Sequence, residues 1–405
     1  MPLTPKIRFR DEKNNQFPDW EAMVIGDFLS EKSVKQVPTE EAPLMAFVAH
    51  KGVTEKGEKY DRSHLVKNKN KKYKRTDIND FIYSSNNLDV GSIGLNKYGS
   101  AVISDVYEIF SINNNANPDF INEVIQRPAN IDKIIQFRQG CLYGQYKIYP
   151  ESFLDVEINM PVKEEQDKIA DFLSLYNKMI ETQELEIEAL EMRRKGLLQR
   201  IFSQEIRFKA DNGINYPDWE DTLLSDILTE RKLRSTGSEE VYSVSVAKGL
   251  VNQIEHLGRS FAAADTSKYK LVKPGDVVYT KSPTGDFKWG IVKQSKIDKD
   301  VIVSPLYGIF IPKSYAFGFI VDAYFSSNVR AHNYLITQIR KGAKNTINIT
   351  NDVFLAKEIC LPTSEEEAEK IQKFIELLDR QIQIEKDKLE AIKLVKKGLL
   401  QQMFV

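Results

Sequence analysis

Reactive side chains are scarce in this chain and lie far apart. It has two cysteines, Cys141 and Cys360, and four histidines at 50, 64, 256 and 332, with no metal-ligand spacing among them. The cysteines sit in unrelated local contexts, so a disulfide framework is not expected and a reducing cytoplasm suits the sequence. No run of about 18 apolar residues is present, which speaks against a membrane span. The opening Met1-Pro2-Leu3-Thr4-Pro5-Lys6 lacks the apolar core of a signal peptide. Neither charge dominates: 57 Lys and Arg stand against 58 Asp and Glu, so the chain is not basic throughout. That leaves nucleic acid open as a partner, because binding depends on where charge sits rather than on its sum.

Catalytic motifs are also lacking. Gly52-Val53-Thr54-Glu55-Lys56-Gly57 has the glycine spacing of a phosphate loop, but Glu58-Lys59 replaces its Lys-Ser/Thr pair. Asn117-Pro118-Asp119-Phe120 is one proline short of the Asn-Pro-Pro-Phe of adenine methyltransferases and reads as a loop. No GxGxxG follows a strand, and Pro18-Asp19 and Pro217-Asp218 have no Glu-x-Lys at nuclease spacing. Nothing here suggests an active site.

What is present is a repeat. Ile7-Arg8-Phe9-Arg10 recurs as Ile206-Arg207-Phe208-Lys209, and Phe17-Pro18-Asp19-Trp20-Glu21 as Tyr216-Pro217-Asp218-Trp219-Glu220. Ala101–Phe110 matches Val301–Phe310, Gln136–Gly140 matches Gln338–Gly342, and Lys195-Gly196-Leu197-Leu198-Gln199 matches Lys397-Gly398-Leu399-Leu400-Gln401. The offset drifts only from 199 to 202, as small loop changes make it. A period this long means two whole domains, each followed by its own helix.

Pro161 and Pro362 each precede a glutamate-rich first turn, a helix-start signal, and no Pro or Gly follows until Gly196 and Gly398. Apolar residues recur at alternating spacings of three and four: Leu173, Tyr176, Ile180, Ile187, Leu190, Leu197 and Ile201, then Ile375, Leu378, Ile382, Leu389, Ile392, Leu399 and Met403. Gln183 and Arg194 interrupt the first stripe, Glu385 and Lys396 the second. Each stripe packs either on its own domain or on the other helix. A heptad seam between the two fits the spacing better, and two copies related by a pseudo-dyad make it antiparallel. A helix of about 36 residues spans roughly 54 Å.

The residues divide accordingly. Segment 1–20 precedes a mixed α/β domain at 21–162 and a long helix at 163–203; 204–220, 221–362 and 363–405 repeat the series. Asp80–Tyr83 with Asp276–Tyr279, and the two 101–110 and 301–310 runs, read as strands. Pro118–Arg127 and Ala316–His332 read as helices.

The repeat also sorts candidate contacts. Groups shared by both copies serve folding or hold the phosphate backbone; groups that differ read different bases. Shared polar positions are Lys51/Lys248, Arg62/Arg259, Tyr73/Tyr269 and Arg138/Arg340. The tyrosines read as core, and Arg138 and Arg340 as either phosphate clamps or structural ion pairs. The differing loops hold Asn86 and Asn87 against Lys281, Ser282 and Thr284, and Tyr143, Gln145 and Lys147 against Lys341, Lys344 and Asn345. Such side chains suit base edges in the major groove, or are simply solvated. His64–Arg75 has six basic residues and no acid, so Lys69, Lys71, Lys72, Lys74 and Arg75 are candidate phosphate contacts.

Two domains, each trailed by a long helix with Pro-x-x-Glu-Glu near its start and Lys-Gly-Leu-Leu-Gln near its end, resemble the specificity subunits of type I restriction-modification systems. Pro161-Val162-Lys163-Glu164-Glu165-Gln166 is similar to that family's helix opening; Glu366-Glu367 in the second copy lacks the Gln. The Tyr/Phe-Pro-x-Trp elements resemble the segment before each target recognition domain. The resemblance implies an α+β protein with two recognition domains and an antiparallel coiled coil. It implies one DNA half-site per domain, with the helices setting the gap. Half-sites about ten base pairs apart lie roughly 34 Å apart, within reach of such a spacer. It also implies two methyltransferase and two translocating nuclease subunits as partners. They would use S-adenosylmethionine, ATP and Mg²⁺, while this chain binds no cofactor. A stand-alone DNA-binding regulator and a protein-only coiled-coil adaptor are the competing readings; no helix-turn-helix pattern supports the first.

Overall fold

The computed structural model describes all residues except 1–4, 56–69, 89, 143–144, 258–264, 339, 342–346 and 405. The chain divides into two compact units, one of residues 1–184 with 388–405, the other of residues 185–387. Each holds one copy of the repeated domain and a part of each long helix.

In the first copy, antiparallel strands form a four-stranded sheet in the order Leu29–Glu31, Tyr107–Ile112, Phe81–Ser84, Ile93–Leu95. Lys35–Gln36, Tyr73–Thr76 and Ala101–Ile103 form a second sheet. The second copy repeats the first sheet as Leu228–Glu230, Gly308–Pro312, Val277–Tyr279, Val292–Gln294. The strands read at 80–83 and 276–279 are present, but each of the runs 101–110 and 301–310 is two strands in different sheets, Ala101–Ile103 then Tyr107–Ile112, and Val301–Val303 then Gly308–Pro312. Strands 81–84 and 277–279 are buried throughout, so their apolar runs are continuous rather than alternating.

The helices differ in one respect from the sequence reading. Ala316–His332 is not one helix but two, Tyr315–Phe325 and Asn328–Leu335. Ser327 breaks the run because its hydroxyl accepts the Arg330 amide and caps the second helix. In the first copy the break falls at Pro128, which starts the helix Pro128–Ile135 after Pro118–Ile125.

Each domain is closed by its own ends. Glu21–Val24 pairs with Glu157–Met160, and Glu220–Leu223 with Glu358–Leu361, both antiparallel. The chain therefore leaves each domain beside the point where it entered. The helices Lys163–Phe202 and Glu365–Met403 come next.

The heptad stripe is the packed face of both helices. Leu173, Ile187, Ile201, Ile375, Ile382, Leu389 and Met403 are buried, and Tyr176, Ile180, Leu190, Leu197, Leu378, Ile392 and Leu399 half-buried. Flanking contacts fix the direction. In the first unit Lys396 Nζ reaches Asn177 at 2.7 Å and Lys393 Nζ reaches Glu184 at 2.8 Å. In the second, Lys386 pairs with Glu191 at 2.6 Å, and Arg194 with Asp379. Residues later in the central helix meet residues earlier in the C-terminal one, so the pairing is antiparallel within each unit.

Helix ends complete the cores. Leu400, Met403 and Phe404 pack in the first unit's core, where the Phe404 ring lies 6.0 Å from Trp20 and 5.5 Å from Phe120. Leu198 and Ile201 pack in the second unit's core, with Phe202 against Trp219 and Tyr324. The last turn of the chain is thus part of a domain that begins near residue 20. Phe404→Ala is expected to destabilise the first unit by about 3 kcal/mol through lost burial and the cavity left behind. Denaturant unfolding of the variant checks this.

Candidate nucleic-acid interface

The shared lysines occupy matching places. Lys51 lies in the turn between Ala46–Val48 and Gly52–Thr54, Lys248 in the turn between Tyr242–Ser245 and Gly249–Asn252. Both side chains are exposed. Tight hairpins put these cations at the tip of a ribbon, where they can meet an anion without losing packing.

The basic run from 64 onward divides at Tyr73. Lys71 and Lys72 are exposed, and Lys71 Nζ lies 5.1 Å over the Tyr73 ring. Lys74 is different: it is buried, and its ammonium donates to Glu108 at 2.5 Å and to the Tyr107 carbonyl at 2.9 Å. A lysine so enclosed is neutralised inside the domain, which corrects its reading as a phosphate contact. Arg75 is also committed internally, donating to Asp77 at 3.0 Å and to Gln36 at 3.2 Å. Together with Lys32 and Ser100, Arg75 holds the Asp77 carboxyl well below the usual carboxylate range. This arginine braces a turn while its side chain stays 38% exposed. The run looks uniform in the sequence, which shows charge but not which strand face it occupies.

The differing loops leave buried strands and carry exposed polar groups. Asn86 and Asn87 are exposed at the tip following Phe81–Ser84. In the second copy Lys281 and Ser282 are half-buried and Thr284 exposed, in a loop pinned by mutual Thr284–Phe287 backbone hydrogen bonds of 3.0 Å. Lys281 holds a left-handed backbone, φ 53°. Burial, and then the neighbouring Lys270, push its ammonium pKa down to about 8. Beside this loop lies a recess of about 250 Å³ lined by residues that include Phe287, Trp289, Asn328, His332 and Asn333. Trp289 Nε1 donates to His332 Nδ1 at 3.0 Å on its wall.

The hairpin pairs Gln139–Leu142 with Gln145–Lys147 and Arg340–Lys341 with Ile347–Asn348 repeat each other. Arg138 lies with its guanidinium 5.4 Å over the Tyr146 ring, and the exposed Lys147 lies 4.5 Å over Tyr149. Gln145, Arg340 and Lys341 are placed on their strands by the backbone alone. Arg62, Lys69, Tyr143, Arg259, Lys344 and Asn345 lie outside the described residues.

Two groups are not picked out by the sequence reading. One is the arginine of each segment before a domain: Arg8 Nε and Nη2 donate to Glu165 at 3.1 and 2.7 Å, Arg207 to Glu367 at 2.8 and 3.0 Å. Both glutamates are fully buried at the start of a long helix. The pairing also aligns the helix openings: Glu367 stands where Glu165 does, and Ala368 takes the place of Gln166. Arg8 and Arg207 are identical in the repeat, and that identity is the available signal. The other is Lys270, which aligns with Lys74 and donates to the Tyr307 carbonyl at 2.6 Å.

Comparison with known proteins places this geometry. The family model described as "Type I restriction modification DNA specificity domain" matches residues 19–192, which hold the first copy and most of the central helix. The internal repeat extends the same pattern over the second half. Residues 19–192 are thus similar to the type I restriction-modification DNA specificity family. It is 25% identical over 412 residues to the type I restriction enzyme MjaVIII specificity subunit of Methanocaldococcus jannaschii, covering 94% of this chain and 91% of the relative. The crystal structure of the type I system S subunit from M. genitalium superposes with a TM-score of 0.58 at 13% identity, covering 100% of this chain and 99% of that one. A structure bearing on complex assembly and conformational transition of a type I restriction-modification system gives a TM-score of 0.52 at 13% identity, covering 96% and 98%. In this chain, two copies of one domain alternate with two long helices. Among the described residues no cluster of His, Cys, Asp and Glu could hold a metal, and no helix is long and apolar enough to cross a membrane.

Proposed function

We propose that this chain chooses the DNA sequence on which a type I restriction-modification complex acts. Each copy of the domain reads one half of a split target, and the paired helices set the gap between halves. One observation carries this reading: two self-closed copies of a family recognition domain are each followed by a long helix, and the helices pair antiparallel. The chain is non-catalytic and works in the cytoplasm. Adenine methylation and ATP-dependent restriction belong to two methyltransferase and two translocating nuclease subunits, which use S-adenosylmethionine, ATP and Mg²⁺. Apolar side chains left exposed on the helices suit a methyltransferase partner: Leu175, Met179 and Leu394 in the first unit, and Leu185, Met192 and Leu377 in the second. Co-expression with the cognate methyltransferase subunit, followed by genome-wide mapping of methylated adenines, tests the proposal. The expected result is a two-part motif with an unread gap of constant length. A continuous motif, or no methylation, would overturn it.

A further inference from the structure

The two copies share a frame, and the frame carries opposite charge. Strand registers match the positions one to one. Lys35 opposes Lys74 and Arg234 opposes Lys270 across the same strand pair. Tyr83 opposes Glu108, and Tyr279 opposes Gly308. Two residues beyond those tyrosines stand Ser85 and Lys281. Glu31 and Glu230 each oppose a phenylalanine, Phe110 or Phe310, on the neighbouring strand.

In the first copy the cations are matched. Lys35 pairs with Asp105 at 3.2 Å, Lys74 with Glu108 at 2.5 Å, and Glu31 lies, like Glu108, in reach of Tyr83. Two cations thus stand among three carboxylates. In the second copy Asp105 becomes Pro305, Glu108 becomes Gly308 and Ser85 becomes Lys281. Arg234, Lys270 and Lys281 then share one carboxylate, Glu230, which is already accepting from Asn351 Nδ2 at 2.5 Å. Among the described residues no ion pair joins Lys270 or Lys281, and Lys270 donates only to a backbone carbonyl. Both lysines are half-buried. Burial lowers the pKa of each, and the one nearby carboxylate, Glu230, does not offset it. Such a cluster costs stability in the free protein and is offset when an anion enters it.

We infer that Lys270 and Lys281, with the exposed Arg234 at the rim, form a phosphate site in the second copy that the first copy has neutralised. This rests on the DNA-reading function proposed above and deepens it. The reading loop of the second copy starts at Lys281, so a backbone phosphate held here would seat that loop against its half-site. The first copy holds its half-site without this grip, and the two halves are bound unequally.

The test uses the complex of the full chain with its methyltransferase subunit and a duplex containing the mapped target. Replacing a phosphate contact lowers the slope of log affinity against log salt by about 0.9. Lys281→Met and Lys270→Met are each expected to show that loss, with circular dichroism confirming that both fold. An unchanged slope in both overturns the inference. A second arm needs no variant. Wild-type chain alone is acylated with an amine-reactive ester in inorganic phosphate or in sodium chloride at equal ionic strength, and peptides are read by mass spectrometry. Phosphate should protect Lys281 selectively over the exposed Lys195 of the central helix; equal labelling in the two salts overturns the site. If the wild-type complex binds no duplex, the DNA-reading function fails, and phosphate protection alone decides this inference.

Discussion

Arg8→Met is expected to destabilise the first unit by about 3–5 kcal/mol, the range for leaving a buried charge without its partner. Glu165 has no exposed surface, and two Arg8 nitrogens donate to its carboxylate. Trp20 has a buried indole nitrogen that finds no partner among the described residues and so does not replace them. The second unit gives an internal control. There Glu367 accepts from Arg207 and also from Trp219 Nε1 at 3.1 Å, so Arg207→Met leaves one donor in place. Its cost should be smaller than that of Arg8→Met. The double variants Arg8→Met/Glu165→Met and Arg207→Met/Glu367→Met should recover much of the loss, because no charge then remains buried. Chemical denaturation of the four variants measures all of this. If Arg8→Met cost under about 1 kcal/mol, the pair would be of the solvated kind that contributes little, and the clamp would be no determinant of the helix start.

Exchanging residues 21–160 for the corresponding domain of a relative is expected to replace one half of the target completely and leave the other half and the gap unaltered. The physical ground is the closure of the domain by its own first and last strands, Glu21 opposite Met160 at the open end. A module whose entry and exit are paired can be replaced without moving the helix that leaves it. The exchange leaves Arg8 with Glu165 intact, since both lie outside it, but must respect the packing of Leu400, Met403 and Phe404 on the first unit's core. Methylation mapping of the hybrid reads the outcome. If both halves changed, the domains would not read independently.

These outcomes bear on how much is legible from residues alone. The duplication, the strand runs at 81–84 and 277–279 and the heptad stripe are all visible, because each is a local periodicity or a copied string. The stripe in particular predicts the packed face of each helix, since a seam needs apolar groups every three to four positions. The break within 316–332 is hidden, because a serine cap acts through one side-chain hydrogen bond and hardly alters composition.

The candidate interface is less legible. Lys74 and Lys71 look alike in a basic run, yet one is enclosed against Glu108 and the other is exposed above the Tyr73 ring. Strand alternation sends neighbours to opposite faces, and which face is interior depends on the sheet above it. Sequence alone therefore determined that there are two copies, what separates them and which positions they share. Tertiary structure decided which cations are paired with carboxylates and which, among the described residues, are not. That depends on carboxylates distant along the chain, Asp105 and Glu108 in one copy and their absence at Pro305 and Gly308 in the other, brought alongside only by strand pairing.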